Sequence, residues 1–236
     1  MEYFIFKPEF VVKVIPVLLG FLPVTLLITF SSVILGLLLG AALAKAKLSQ
    51  RKAPRMIAEA YTTIMRCTPS IVLMFVVYYG LPLVLISLLG VNIQSYPNLF
   101  FAIVSLALLF AATSSELLRS AYLAVDKGQR EAAVSIGLSP RQAFYRIVMP
   151  QCIRIIMPNL ALSVVALIKE AALAFTIGVV DLMGKANLVI ANNYSAMSLE
   201  TYLAVAIIYW AISFLIQQAV KLTERRRYGR QLGQAG

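Results

Sequence analysis

Glu131-Ala132-Ala133-Val134-Ser135-Ile136-Gly137-Leu138-Ser139-Pro140-Arg141-Gln142 is a charged island inside a chain otherwise built for lipid. Glu131 to Ile136 is helix-prone, and Gly137 can enter the left-handed conformation that ends a helix. A new helix starts at once: Ser139 reads as its N-cap, Pro140 as its first residue and Gln142 as the reciprocal partner of a capping box. The stretch therefore predicts a helix-turn-helix knuckle, with Ala132 and Ala133 offering a smooth face.

Composition says what surrounds the knuckle. With 61% hydrophobic and 13% charged residues and a mean hydropathy of +0.86, the chain falls outside the range of soluble domains and reads as all-α and polytopic. The net charge of +11 does not point to nucleic acid, because the basic residues lie between apolar runs and not on one face of a soluble fold.

Val14 to Ala44 carries no charge and exceeds the roughly 20 residues that a crossing needs. Cys67 to Ser115 is charge-free and too long for one crossing; the polar turn from Gly90 to Asn98 divides it in two. Ile155 to Val180, interrupted by Lys169-Glu170, and Thr201 to Val220 complete five spans in one transmembrane domain, residues 1–236. Lys45, Lys47, Arg51, Lys52 and Arg55, the loop at about 119–154, and the tail from Lys221 through Arg225, Arg226, Arg227 and Arg230 all fall on one side. The other side has Lys7, Lys13 and Lys185. The positive-inside rule then puts the amino terminus outside and the carboxyl terminus, with the knuckle, in the cytoplasm.

Several chemistries drop out. The first apolar run is too long for a signal h-region, and Glu2 and Glu9 balance Lys7 and Lys13 ahead of it. Cys67 and Cys152 fall near cytoplasmic helix ends, so no disulfide is expected, and no metal-ligand spacing is present. Around Gly184-Lys185-Ala186, Val179 replaces the first glycine of a P-loop and Ala186 its Ser or Thr. No histidine exists for a catalytic triad. Energy must come from a partner.

The Glu131-Ala132-Ala133, Gly137 and Pro150 spacing resembles the Glu-Ala-Ala loop of ATP-binding-cassette importer permeases, with Met149 in place of a Leu. Met65-Arg66-Cys67-Thr68-Pro69 and Tyr78-Tyr79-Gly80-Leu81-Pro82 are similar to segments of the polar amino-acid uptake permeases, with Cys67 for a Gly. Ala124 to Gln129 and Ile177 to Met183 extend the resemblance across most of the chain, from about Val11 to Gln217. It implies a type I importer permease of the bacterial inner membrane: a second permease subunit, as homodimer or heterodimer, two ATPase subunits carrying ATP and magnesium, and an external or periplasmic amino-acid-binding protein. Glu131, Ala132, Ala133, Gly137, Ser139, Pro140 and Pro150 would then couple to the ATPase. A channel would need no such loop, and a membrane-bound enzyme would have only paired carboxylates to work with.

Family members commonly carry Tyr-Thr-Ala-Glu and Lys-Asp-Thr-Ser-Leu where this chain has Thr113-Ser114-Ser115-Glu116 and Lys169-Glu170-Ala171-Ala172-Leu173; the second variant is similar to cystine-type permeases. Charges at the centre of a membrane helix cost about 2.5 to 3.5 kcal/mol on insertion scales, so Glu116, Lys169 and Glu170 need partners or water. Glu116 either pairs with Arg119 on its own helix face or lines a polar cavity with Ser114 and Ser115. Lys169 and Glu170 lie about 100° apart on a helix, so at least one faces a neighbour or a cavity suited to a zwitterion, unless Lys169 snorkels outward. The tail from Glu224 to Arg230 reads as an anchor on anionic lipid.

Overall fold

A computed structural model describes residues 6–193 and 195–232, with backbone alone from residue 223 onward, and the described residues contain helices and no strand. The helices are α1 (Pro8–Leu19), α2 (Leu22–Lys47), α3 (Lys52–Cys67), α4 (Ser70–Leu89), α5 (Asn98–Ala124), α6 (Lys127–Ser135), α7 (Pro140–Ile177), α8 (Leu182–Asn192) and α9 (Ser198–Leu232). Among the described residues five are long and apolar enough to cross a membrane: α2, α4, α5, α7 and α9. That is the number expected. The most apolar window of α9 is only 17% buried and that of α4 22%. Leu83, Leu88, Trp210 and Leu215 stand exposed on these two helices. Faces of that kind need lipid or protein against them.

Three boundaries differ from expectation. The first apolar run is two helices, because Pro23 in the first turn of α2 has no N–H to give Leu19 and its ring would strike that carbonyl; the chain turns at Gly20-Phe21 instead. The basic segment after Lys47, expected as a loop, forms α3, which buries the small residues Ala58 and Thr62 and leaves Met56, Ile57 and Ile64 exposed. The fourth span does not begin at Ile155 but continues unbroken from Pro140. Pro150 sits inside α7, just past a π-helical turn at Phe144–Val148 in which the Met149 N–H reaches back to the Phe144 carbonyl. The wider turn accommodates a proline that lacks its own donor.

The chain's contacts form two compact units, each drawn from separate stretches: Met1–Ser32, Pro69–Leu106 and Val165–Gly236 in the first, Val33–Thr68 and Ala107–Val164 in the second. In the first, Val14 and Leu18 of α1 pack with Leu182 and Ala186 of α8 and with Ala204, Val205 and Ile208 of α9. Glu200, fully buried, accepts the Lys7 backbone N–H at 2.9 Å and so caps the start of α1. Asn98 donates to the Ile177 carbonyl at 2.7 Å.

In the second unit α2 and α5 approach closely. A Cβ on Gly36 would stand 2.9 Å from the Ala107 carbonyl oxygen, and one on Gly40 would stand 3.0 Å from that of Ala111. Gly36 and Gly40 are the two small positions of a Gly-x-x-x-Gly pattern, which lets helix backbones touch in lipid. Ser114 adds a hydrogen bond across the pair, donating to the Gly36 carbonyl at 3.0 Å.

Candidate functional site

The knuckle is built from local hydrogen bonds. After α5 the chain turns through Val125, and Asp126 caps α6 by accepting the Gly128 N–H at 2.8 Å. Gly137, at φ +93°, ends that helix in the left-handed conformation. The Leu138 N–H then returns to the Ala133 carbonyl at 3.2 Å. These are the marks of a Schellman cap. Two residues later the capping box is complete in both directions: the Gln142 N–H donates to Ser139 Oγ at 3.3 Å and the Ser139 N–H to Gln142 Oε1 at 2.9 Å, with Pro140 at the first helical position.

Ala132 is exposed but Ala133 is buried, so the smooth face expected of both belongs to Ala132, and Ala133 packs inward. Ile136, beside the glycine, is 81% exposed and gives the knuckle an apolar tip. Glu131, Ser139, Pro140 and Pro150 are all exposed. Behind the tip lies a cleft of about 610 Å³, walled by Tyr122, Val125, Val134 and Val148 and edged by Asp126, Arg130 and Glu131. A short helix held at both ends, with an apolar tip and charged edges, is suited to docking in a groove of another protein.

The other sequence candidates fall in two places. In the second unit Ser114 and Ser115 are fully buried. The hydroxyl of Ser115 donates to the Ala112 carbonyl at 2.8 Å. Glu116 does pair with Arg119, at 3.0 Å, and also receives Lys47. Lys47 was missed because, with Lys45, it follows the charge-free run and reads as a loop residue; the helix carries it inward. In the first unit Lys169 is exposed, while Glu170 is half-buried and one of its carboxylate oxygens is enclosed with no hydrogen-bond partner among the described residues.

Asp181 was also missed as a structural residue. Fully buried, it caps α8 through the Gly184 N–H at 2.8 Å and accepts the Thr25 hydroxyl at 3.2 Å. Burial pushes its carboxyl group above the usual aspartate value, against the pull of these hydrogen bonds. The spacing from Asp181 to Gly184 is the signal that could have found this cap.

The profile of the family described as binding-protein-dependent transport system inner membrane component matches residues 32–228. The L-cystine transport system permease protein TcyL of Bacillus subtilis (strain 168) is 38% identical over 212 residues, covering 90% of this chain and 87% of TcyL. The probable amino-acid permease protein YxeN of the same organism is 34% identical over 217 residues, 92% of this chain and 94% of YxeN. A crystal structure of an amino acid ABC transporter with histidines superposes with a TM-score of 0.79 at 30% identity, covering 94% of this chain and 99% of that one. The chain therefore belongs to the binding-protein-dependent transport system inner membrane components, as the permease subunit of an ABC importer, a family that implies a partner ATPase and a substrate-binding protein.

Proposed function

We propose that this permease subunit carries a polar amino acid, cystine foremost, by alternating access driven through the knuckle at Glu131 to Gln142. The observation that carries the coupling role is the knuckle itself, a helix stopped by Gly137 at φ +93° and restarted by a complete capping box, with Ile136 presented at its tip. TcyL, 38% identical, is named for L-cystine, and YxeN for amino acids, which supports the substrate class.

On this reading the subunit pairs with a second permease subunit, its own copy or a sister chain, in the bacterial inner membrane. Two ATPase subunits holding ATP and magnesium dock, one on the knuckle of each permease subunit, and a binding protein delivers substrate from outside. The Lys and Arg distribution supports an amino terminus outside and a carboxyl terminus in the cytoplasm, with the basic loops near anionic lipid. ATP binding and release shift the permease between two conformations that open to opposite sides.

For the substrate contact the structure favours Glu170. Its unpartnered, enclosed oxygen has the hydrogen-bonding capacity to take a substrate ammonium group. Ser114, Ser115 and Glu116 spend theirs inside the second unit. The test is uptake of cystine and other polar amino acids into liposomes holding the permease, ATPase and binding protein. Uptake should require ATP, and Glu170→Gln should lower it about tenfold or more, the value of a lost charged hydrogen bond. Flux without the ATPase would establish a channel instead; unchanged uptake by Glu170→Gln would move the substrate site elsewhere.

A further inference from the structure

In the second unit the Lys47 side chain is only 2% exposed, although it is the last residue of a helix whose only other charged residue is Lys45. Each of its three ammonium protons has an acceptor, on two different helices: Thr62 Oγ1 of α3 at 2.8 Å, Ser115 Oγ of α5 at 3.3 Å and Glu116 Oε1 of α5 at 2.5 Å. The other Glu116 oxygen accepts Arg119 Nε at 3.0 Å, so the cluster is filled on both sides. An ammonium group has three donors and no more. The Lys47 ammonium group has no donor left over for a ligand, and the cluster is not placed by local sequence, since Lys47 and Glu116 are 69 residues apart.

The position of the cluster gives it a use. From Glu116, α5 runs eight residues to Ala124, about 12 Å at the helical rise, and Asp126 then opens the knuckle. Along their shafts α2 and α5 already touch through Gly36 and Gly40, and Tyr61 of α3 donates to the Leu108 carbonyl of α5 at 2.8 Å. Those contacts leave the knuckle end of the three helices to be closed. Lys47 closes it.

We propose that Lys47 is a positioning residue for coupling: with Thr62, Ser115 and Glu116 it locks α2, α3 and α5 together at the root of the knuckle, so that knuckle displacement moves three helices and does not dissipate in bending of α5. This rests on the knuckle being the ATPase-coupling element. The substitutions that separate positioning from stability are Lys47→Met and the charge-free pair Lys47→Met/Glu116→Gln. A lone buried charge destabilises, whereas removal of both partners of a buried pair is often tolerated.

The experiment uses the full transporter in liposomes with its binding protein, and reads amino-acid uptake and ATP hydrolysis in the same vesicles, together with complex assembly and thermal stability. Gly137→Val runs beside it as the control on the coupling reading. The expected result is that the charge-free pair assembles and melts like the wild type but moves about fivefold or more fewer substrate molecules per ATP, the lower end of ordinary coupling energies. Lys47→Met should show the same loss with lower stability, and Lys47→Arg, which keeps the donors, should recover most of the ratio. A charge-free pair with a wild-type transport-to-ATP ratio overturns the proposal, as does one that fails to assemble, since the cluster is then purely structural. If Gly137→Val keeps full coupling, the knuckle reading falls, and this proposal falls with it whatever the Lys47 variants do.

Discussion

At Gly137 the backbone sits at φ +93°, and no atom lies within 4 Å of the place a Cβ would occupy. A larger residue therefore meets no clash, and its whole cost is backbone strain, about 1 to 3 kcal/mol for a non-glycine residue in this region. Asparagine tolerates the left-handed conformation best, alanine less and a β-branched residue least. Stimulation of the partner ATPase by the loaded binding protein should accordingly fall in the order Gly137→Asn, Gly137→Ala, Gly137→Val, with membrane insertion unchanged in all three. Equal activity across the series, measured on purified complexes, would show that the turn is not strained in the way its φ demands. Gly137, Ser139 and Gln142 were legible in the sequence because their hydrogen bonds close within a few residues of chain. Lys47 was not, because Glu116, which gives it its environment, is remote in sequence; for Asp181 the short spacing to Gly184 signals the cap, but not the contact with remote Thr25.

Elements were read well where one signal dominated and poorly where two competed. The apolar run from Val14 to Ala44 hid the break between α1 and α2, although Pro23 stood in view as the residue that forbids one continuous helix. The charges from Lys45 to Arg55 suggested a loop, yet α3 needs only Ala58 and Thr62 on its inner face, and small residues give little hydrophobic signal. Glycines show the same dependence on context. In α2 a Cβ on Gly40 would lie 2.0 Å from Ser114 Oγ and 3.0 Å from the Ala111 carbonyl oxygen; around Gly80, which closes the π-helical turn of α4 in right-handed helical conformation, nothing lies within 4 Å. Gly40→Ala should lower stability by about 1 to 3 kcal/mol through overpacking, whereas Gly80→Ala should raise it by about 0.5 to 1 kcal/mol through helix propensity. Thermal unfolding of the two variants in one detergent decides this; shifts of the same sign would contradict the close approach of α2 to α5.

Across the whole molecule the sequence carried the number of spans because hydropathy needs no knowledge of packing, and α2, α4, α5, α7 and α9 each contain an apolar stretch long enough to cross. It carried less about the transport site, since Glu170 acquires its unpartnered oxygen only when the surrounding helices enclose it. The basic tail at Arg225, Arg226, Arg227 and Arg230 lies outside the residues whose side chains are described, so orientation rests on the loops. Gln50 and Gln94 are both exposed, one in the basic turn between α2 and α3 and the other in the neutral turn between α4 and α5. They are separated by a single apolar span, α4, so opposite sides of the membrane follow if α4 crosses. Cys67 is exposed and Cys152 half-buried, so both are first replaced by serine to give a background without thiols. A cysteine at Gln94 should then react with an impermeant maleimide in intact cells, while one at Gln50 should react only after the membrane is opened. Labelling of Gln50→Cys from outside would invert the orientation and take the knuckle away from the ATP; labelling of both from outside would mean that α4 does not cross.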